Sequence, residues 1–528
     1  MATSKISSVA ASAEAQAGHP RRWWILAALA LSLLVVGLDA TVLNVALSDI
    51  SRALGASTTE LQWIVNGYSL TSAVLLIPAG LLGDRLGRRR VLAVGLAIFV
   101  AASAAGAFAQ NPSELIAART VMGIGAAAVF PLALSIIPTV FAPSQRSKAV
   151  AVMTAAMGVG MPLGPLVGGW LLDNFWWGST LLFNVPTVAV ALAAGLALIP
   201  DTRDASPRRV NLFGLGLTVA GLTGIVYGIT QVPIDGWGSA STLAPLCGGV
   251  ALLVAFGVVE SRSGEPLLDR RLIGSPLFVW PTVATALTSF VMMGLLFAIP
   301  LYLQAYVGDS ALTTGLKLMP MMLTLVVGSG VSTRLGSRLG LRVIVPAGIL
   351  ISSAGFLALL GITPSSDYWP LFATLAITGF GFGLAMPPAM TAMLDSLPDG
   401  VQSTGTALNL SVRQTVGALG VAVLGSILTA AYRAGISAPT AHLPGAAASA
   451  ARDSLGGAVA VASRLGPAGG ALRDAAGSAY LDGVHAVSLV CFAAAIVIAV
   501  MMAIVLPRRA QTARTLEPRT TAAGKMDS

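Results

Sequence analysis

Asp39 is the one carboxylate set well inside an apolar run of this 528-residue chain, in Leu-Asp-Ala-Thr-Val-Leu-Asn-Val-Ala-Leu (38–47). An ionised side chain in a bilayer costs about 2.5–3.5 kcal/mol on insertion scales, and desolvation favours its neutral, protonated form. Such a group can take up and release a proton as its access to water alternates between two sides. The competing reading is a carboxylate locked in a structural ion pair. Arg119, near the start of another apolar run, is the natural partner for it, or else an arginine that snorkels to the interface. A second cluster, Gly83, Asp84, Arg85, Gly87, Arg88 and Arg89, falls in the loop Gly-Asp-Arg-Leu-Gly-Arg-Arg-Arg (83–90). Its glycines suit a sharp turn, and Asp84 is placed to cap a helix start and to pair with Arg88 or Arg89. Such a cluster can hold one closed state and break in another. A third set, Gly160, Gly164 and Gly168, recurs every four residues and makes one smooth helix face for close helix approach. Pro162 and Pro165 beside it allow a kink.

The elements that position these residues follow from composition. The chain is 55% hydrophobic and 10% charged, against about 25% charged in soluble domains, and its mean hydropathy is +0.82. Fourteen stretches have the length and apolarity of membrane-spanning helices. Asp39, Arg119 and Lys317 are exceptional in lying inside or close to the ends of three of them, and Lys317 reads as a snorkelling side chain. An even number of spans puts both termini on one side. With the N-terminus cytoplasmic, twenty-three of the 31 Lys and Arg fall on that side and five on the other, so the net charge of +9 is a topology signal and not a nucleic-acid footprint. The two cysteines, Cys247 and Cys491, lie in apolar runs and imply neither disulfide nor metal.

An internal repeat organises the spans. Gly-Asp-Arg-Leu-Gly-Arg-Arg (83–89) returns as Gly-Ser-Arg-Leu-Gly-Leu-Arg (336–342), offset by 253 residues, with Ser337 for Asp84 and Leu341 for Arg88. Two six-helix bundles with two helices inserted between them explain the spacing, and a substrate site is expected where the halves meet. The expected division is a tail over 1–22, a first bundle over 23–200, two linker helices over 201–260, a second bundle over 261–506 and a tail over 507–528. The segment 433–482 forms a long extracytoplasmic loop, either a short helical hairpin or a plain spacer.

The residues that carry a family resemblance are now in view. They are span 1 (38–47), Gln-Trp-Ile-Val-Asn-Gly-Tyr-Ser-Leu (62–70), the 83–90 loop, Ala-Arg-Thr-Val-Met-Gly-Ile-Gly-Ala-Ala (118–127), Gly158 and Gly160 with Gly-Pro-Leu-Val-Gly-Gly (164–169), Tyr-Leu-Gln (302–304) and Arg-Gln (413–414). Together they resemble the fourteen-span drug:proton antiporter family of the major facilitator superfamily, over nearly the whole chain. The resemblance implies an all-α polytopic membrane protein of the major facilitator fold. It gives Arg119 a coupling role and makes Gly160, Gly164, Pro165, Gly168 and Gly169 the antiporter motif.

The expectation is therefore a bacterial cell-membrane transporter, working as a monomer, that exports lipophilic, cationic drugs or antibiotics in exchange for protons. The proton gradient drives it with no cofactor or metal. Asp39, Trp63, Asn66, Phe130, Met157, Phe290, Met293, Phe297 and Asn409 are candidates to line the cavity, a soft surface for varied ligands. One alternative is a dedicated exporter of a single metabolite or antibiotic for self-resistance. A membrane-integral enzyme is the other, weakened by an inventory of three histidines, none mid-membrane beside a carboxylate. The absence of a P-loop argues against ATP as direct fuel.

Overall fold

The computed structural model describes residues 19–201, 212–262, 275–395 and 402–506, so both tails and the inter-bundle segments at 202–211 and 263–274 lie outside the described residues. Every regular element among those described is helical. The first six are α1 (Arg22–Leu54), α2 (Thr58–Leu86), α3 (Arg88–Ala107), α4 (Pro112–Val140), α5 (Pro143–Asn174) and α6 (Ser179–Leu198, broken at Phe183). Two more, α7 (Leu212–Asp235) and α8 (Ala240–Arg262), precede α9 (Pro276–Tyr302), which runs on through one π-helical turn at Leu303–Val307. Then come α10 (Ala311–Leu339), α11 (Leu341–Leu359), α12 (Tyr368–Asp395) and α13 (Gln402–Ile436). Two short helices, α14 (Gly445–Asp453) and α15 (Leu455–Arg464), lead to α16 (Gly470–Val505). Among the described residues thirteen helices are long and apolar enough to cross a membrane; α5, a further helix of 32 residues, holds the uncharged stretch 149–172.

Local chemistry sets several helix ends. Ser57 caps α2 in a reciprocal capping box with Glu60, which satisfies two otherwise orphaned amides. Asn111 caps α4 by accepting from the Glu114 amide, with Pro112 at the first position. Gly87 (φ 110°) and Gly340 (φ 78°) make the turns from α2 to α3 and from α10 to α11, backbone conformations that a β-carbon disfavours.

Successive helices run in opposite directions. We call the face where α1 starts the near face, and the face where it ends the far face. Helices α1–α6 pack on one another as one bundle, and α9–α13 with α16 as another. The pairs α2–α13 and α5–α10 join the two. Helix α7 lies along the α2–α13 seam: Val226 packs with Leu70, Ala418 and Ala422, and the Ser426 hydroxyl donates to the Ile229 carbonyl at 2.9 Å. The segment after α13 forms the helical hairpin, not a spacer. It is broken at Ser454, whose hydroxyl accepts from the Gly457 amide at 3.0 Å, and α15 buries Leu455, Ala458, Val461 and Ala462 on the far face. Thr58 of α2 donates to the Asp453 carbonyl at 2.9 Å, so the hairpin touches both bundles.

Candidate functional site

Asp39 stands midway along α1 and is fully enclosed, 0% exposed, as is Arg119 of α4 at 2%. Neighbouring Gly37, Leu38, Thr41 and Val42 press against α5, which leaves Asp39 turned toward α4 and α6. Its Oδ2 accepts from Arg119 Nη1 at 2.6 Å, and its Oδ1 accepts from Asn184 Nδ2 at 2.8 Å. Asn184 is held in turn by the Ser103 hydroxyl at 3.2 Å, and that hydroxyl donates to the Leu181 carbonyl. The break in α6 brings this asparagine to the carboxylate. Arg119 is fixed from the other side, its Nε donating to the Ile64 carbonyl at 3.4 Å and its guanidinium lying 4.2 Å from the centre of the Tyr68 ring.

The acid that stands alone in the sequence thus sits in a polar cluster drawn from five helices, α1–α4 and α6. Two charges moved out of water cost several kcal/mol each, and only mutual pairing with further hydrogen bonds offsets that. Both carboxylate oxygens are occupied as acceptors here, the arrangement of an ionised Asp39. A proton on Oδ2 would compete with the Arg119 bond. Protonation of Asp39 would remove the charge that Arg119 pairs with and so weaken the salt bridge. Sequence reasoning did not single out Asn184, Ser103 or Tyr68. Uncharged polar residues are common in spans, and only the tertiary packing brings these three together, although an asparagine inside the apolar run 179–198 was a usable signal.

A cavity of about 80 Å³ lies between the two bundles. Val36, Gly37 and Ala40 of α1, Tyr68 and Ser69 of α2 and Met157 of α5 line one side. Ser289, Met292 and Met293 of α9 with Leu410, Arg413, Gln414 and Gly417 of α13 line the other. Of the candidate cavity residues, Met157 and Met293 line it. Phe130 packs beside Met157 on Leu76 and Leu410. Trp63 faces α7, its ring centre 6.2 Å from that of Tyr227. Phe290 lies under Gly420 of α13, and Phe297 is buried in the core. Asn409 donates to the Thr282 and Thr285 hydroxyls at 3.2 Å each, and Asn66 is buried with neither amide atom bonded among the described residues. Asp39 is one side chain behind the wall: Tyr68 faces the cavity on one side and Arg119 on the other.

The α5 glycines serve two faces. A β-carbon at Gly160 would lie 3.0 Å from the Leu38 amide, and one at Gly168 would lie 3.1 Å from the Val42 carbonyl oxygen, so 160, 164 and 168 seat α5 on α1. Pro165 and Gly169 point the other way. A β-carbon at Gly169 would lie 2.5 Å from the Leu312 Cα, and Gly315 of α10 rests on Pro165. This second contact joins the halves at the far face. Asp173 accepts there from the Ser310 hydroxyl at 2.9 Å and the Leu312 amide at 3.3 Å, and Gln304 donates to the Val45 carbonyl at 2.6 Å. The Pro162 side chain lies outside the described residues.

In the 83–90 loop the named contacts all stay within the first bundle. Asp84 pairs with Arg88 at 2.9 Å, and Arg88 Nη1 donates to the Ser135 carbonyl of α4 at 2.8 Å. Arg89 reaches the Leu196 and Ile199 carbonyls at the end of α6, at 3.4 and 3.3 Å, while Gly83 abuts Leu132 and Arg85 is exposed. In the second copy Arg342 Nε donates to the Ala503 carbonyl near the end of α16; the Ser337 side chain lies outside the described residues. Lys317 does not simply snorkel: it pairs with Asp309 at 2.7 Å.

A family model described as Major Facilitator Superfamily matches residues 29–421. The chain belongs to the Major Facilitator Superfamily. It is 33% identical over 485 residues to the multidrug efflux pump LfrA of Mycolicibacterium smegmatis, covering 90% of this chain and 96% of that protein. It is 36% identical over 430 residues to the puromycin resistance protein pur8 of Streptomyces alboniger, covering 80% and 85%. Among solved structures, a bacterial homolog of the human lysosomal transporter Spinster shares the fold with a TM-score of 0.67 at 19% identity, covering 92% of this chain and 98% of that one. This superfamily member is thus a transporter and not an enzyme, a multi-pass protein of the cell membrane with bacterial relatives.

Proposed function

We propose that this transporter exports lipophilic drugs or antibiotics in exchange for protons by alternating access, driven by the proton gradient without a cofactor. It crosses the membrane fourteen times, with its near face cytoplasmic, as the weight of basic residues there argues. It works as a single chain, since both walls of the cavity come from one copy. The names of its relatives support the export direction, one a multidrug efflux pump and another a puromycin resistance protein. The observation that carries the proton reading is the enclosed Asp39–Arg119 pair, with Arg119 resting on Tyr68, whose other side faces the cavity. In this conformer the halves meet at the far face through α5 and α10 and also along α2 and α13 toward the near face, where Ser411 donates to the Ala73 carbonyl and Ile77 packs by Phe278 and Leu408, so the cavity is closed on both sides. At about 80 Å³ it is well below the roughly 300–1,000 Å³ of sites for drug-sized ligands, so loading requires the halves to part further.

The cycle follows from the charge state of Asp39. With Asp39 ionised and paired, the first bundle is tied together through α1, α4 and α6. A proton arriving at Asp39 weakens its bond to Arg119, whose guanidinium already lies against the Tyr68 ring that faces the cavity, and a bound ligand shifts the same equilibrium from the other side. Reconstituted vesicles test this directly. An imposed proton gradient should drive export of a lipophilic dye with simultaneous proton flux, and Asp39→Asn should leave both at background. Dye accumulation unaccompanied by proton movement would overturn the antiport reading.

A further inference from the structure

Arg413 is the one side chain of formal charge among the residues lining the cavity, and among the described residues no acid pairs with it. Its Nε donates to the Ser289 hydroxyl at 3.3 Å, and one terminal nitrogen approaches the Met386 sulfur at 4.0 Å. No carboxylate lies within 4.0 Å of it among the described residues. A guanidinium carries five N–H donors, so most of its donor capacity is unspent. Next to it the Gln414 side-chain oxygen is buried without a partner. The contrast with Arg119, matched by Asp39 at 2.6 Å, is direct: one arginine is neutralised from within and the other is not.

We infer that the cavity is a receptor for amphipathic molecules bearing one acidic group, carboxylate or acidic phenol, with that group docked on Arg413. This deepens the export reading by naming a substrate class, and rests on it only for the transport step. A half-buried cation without a counter-ion is unfavourable, and a ligand carboxylate relieves it through the planar two-pronged geometry that arginine offers. Met157, Met292, Met293, Tyr68 and Leu410 then meet the lipophilic body, with thioethers that adapt to its shape. A cationic ligand would instead face a like charge with little water to screen it, while Asp39, the acid that might attract it, is sealed behind Tyr68 and already paired. The sequence reading took Asp39 as a cavity residue; here it lies enclosed behind the cavity wall, paired with Arg119. Charge movement gives the class a further property: exporting an anion against inward protons moves positive charge inward in both steps, so the membrane potential assists.

The test uses the full-length protein in detergent and a panel of fluorescent lipophilic carboxylates, each paired with its methyl ester and with a primary amine of the same skeleton. The wild type should bind the acids about tenfold more tightly than the esters, with the amines weakest. Arg413→Gln should bring acid and ester within about twofold, and Arg413→Lys should keep part of the preference. Equal binding of acid and ester by the wild type overturns the inference with no variant needed, as does an acid preference that survives Arg413→Gln or a panel that fails to bind. The same proteins in vesicles separate the two proposals. If acids are preferred in detergent yet no gradient moves any probe, the export reading fails and this one stands. If amines are exported on a gradient without acid preference, this one fails and export stands.

Discussion

The two copies of the short near-face loop make a natural comparison. Gly87 and Gly340 occupy equivalent places with positive φ. Arg89 and Arg342 each reach carbonyls at the end of the last helix of their own bundle, α6 and α16, where a cation also suits the helix dipole. These shared features build the turn and tie the bundle. Asp84 and Arg88 exist in the first copy alone, replaced by Ser337 and Leu341, and their network runs on to Ser135 of α4, the helix that carries Arg119. What the copies hold in common serves folding. What only the first copy has ties the loop to α4 at Ser135.

The largest effects should fall on that one-sided part. Arg119→Ala, which strands a buried carboxylate, should cost about 3–5 kcal/mol of stability, measured by thermal unfolding in detergent. The double variant Asp39→Asn/Arg119→Gln should recover most of this while proton-coupled export stays at background. Recovery of export in the double variant would reduce the pair to structure. Next come the shared glycines: Gly87→Val and Gly340→Val should each lower stability by about 1–3 kcal/mol, to similar extents. A wide inequality between them would break the symmetry argued above. Arg88→Ala should then shift cysteine labelling at the near mouth several-fold at normal membrane abundance, whereas Leu341→Ala should leave labelling unchanged. Equal shifts in both would make the charged pair a topology marker. Smallest of all, Arg89→Ala and Arg342→Ala should each cost about 0.3–1 kcal/mol, read as matched small drops in melting temperature.

The fold was legible because a bilayer demands long apolar runs, and their spacing with the 253-residue repeat leaves few arrangements open. Asp39 and Arg119 were legible for the same reason, as charges where charge is expensive. The cavity was not. Phe297 and Met293 are one turn apart on the same face of α9, yet one is buried in the core and the other lines the cavity, a difference set by depth along the helix that residue type does not encode. Arg413 was seen as part of a motif but left at the edge of an apolar run beginning at Gln414. The helix starts earlier, at Gln402, because hydropathy marks the membrane core and hydrogen bonding marks the helix, and this places the arginine well inside α13.

The α1–α5 contact is close along its length, with Gly37 on the Met157 carbonyl, Gly160 on the Leu34 carbonyl, and Gly164 and Gly168 receiving the Thr41 and Val42 side chains. At Gly37 and Gly160, where main chain meets main chain, there is no volume for a file of water. Beside Asp39 that flank is thus closely packed, and α1 and α5 fit together as a tight pair. On the proposed proton role of Asp39, the tyrosine ring and the asparagine–serine side are the flanks where access, and any leak, would be sought.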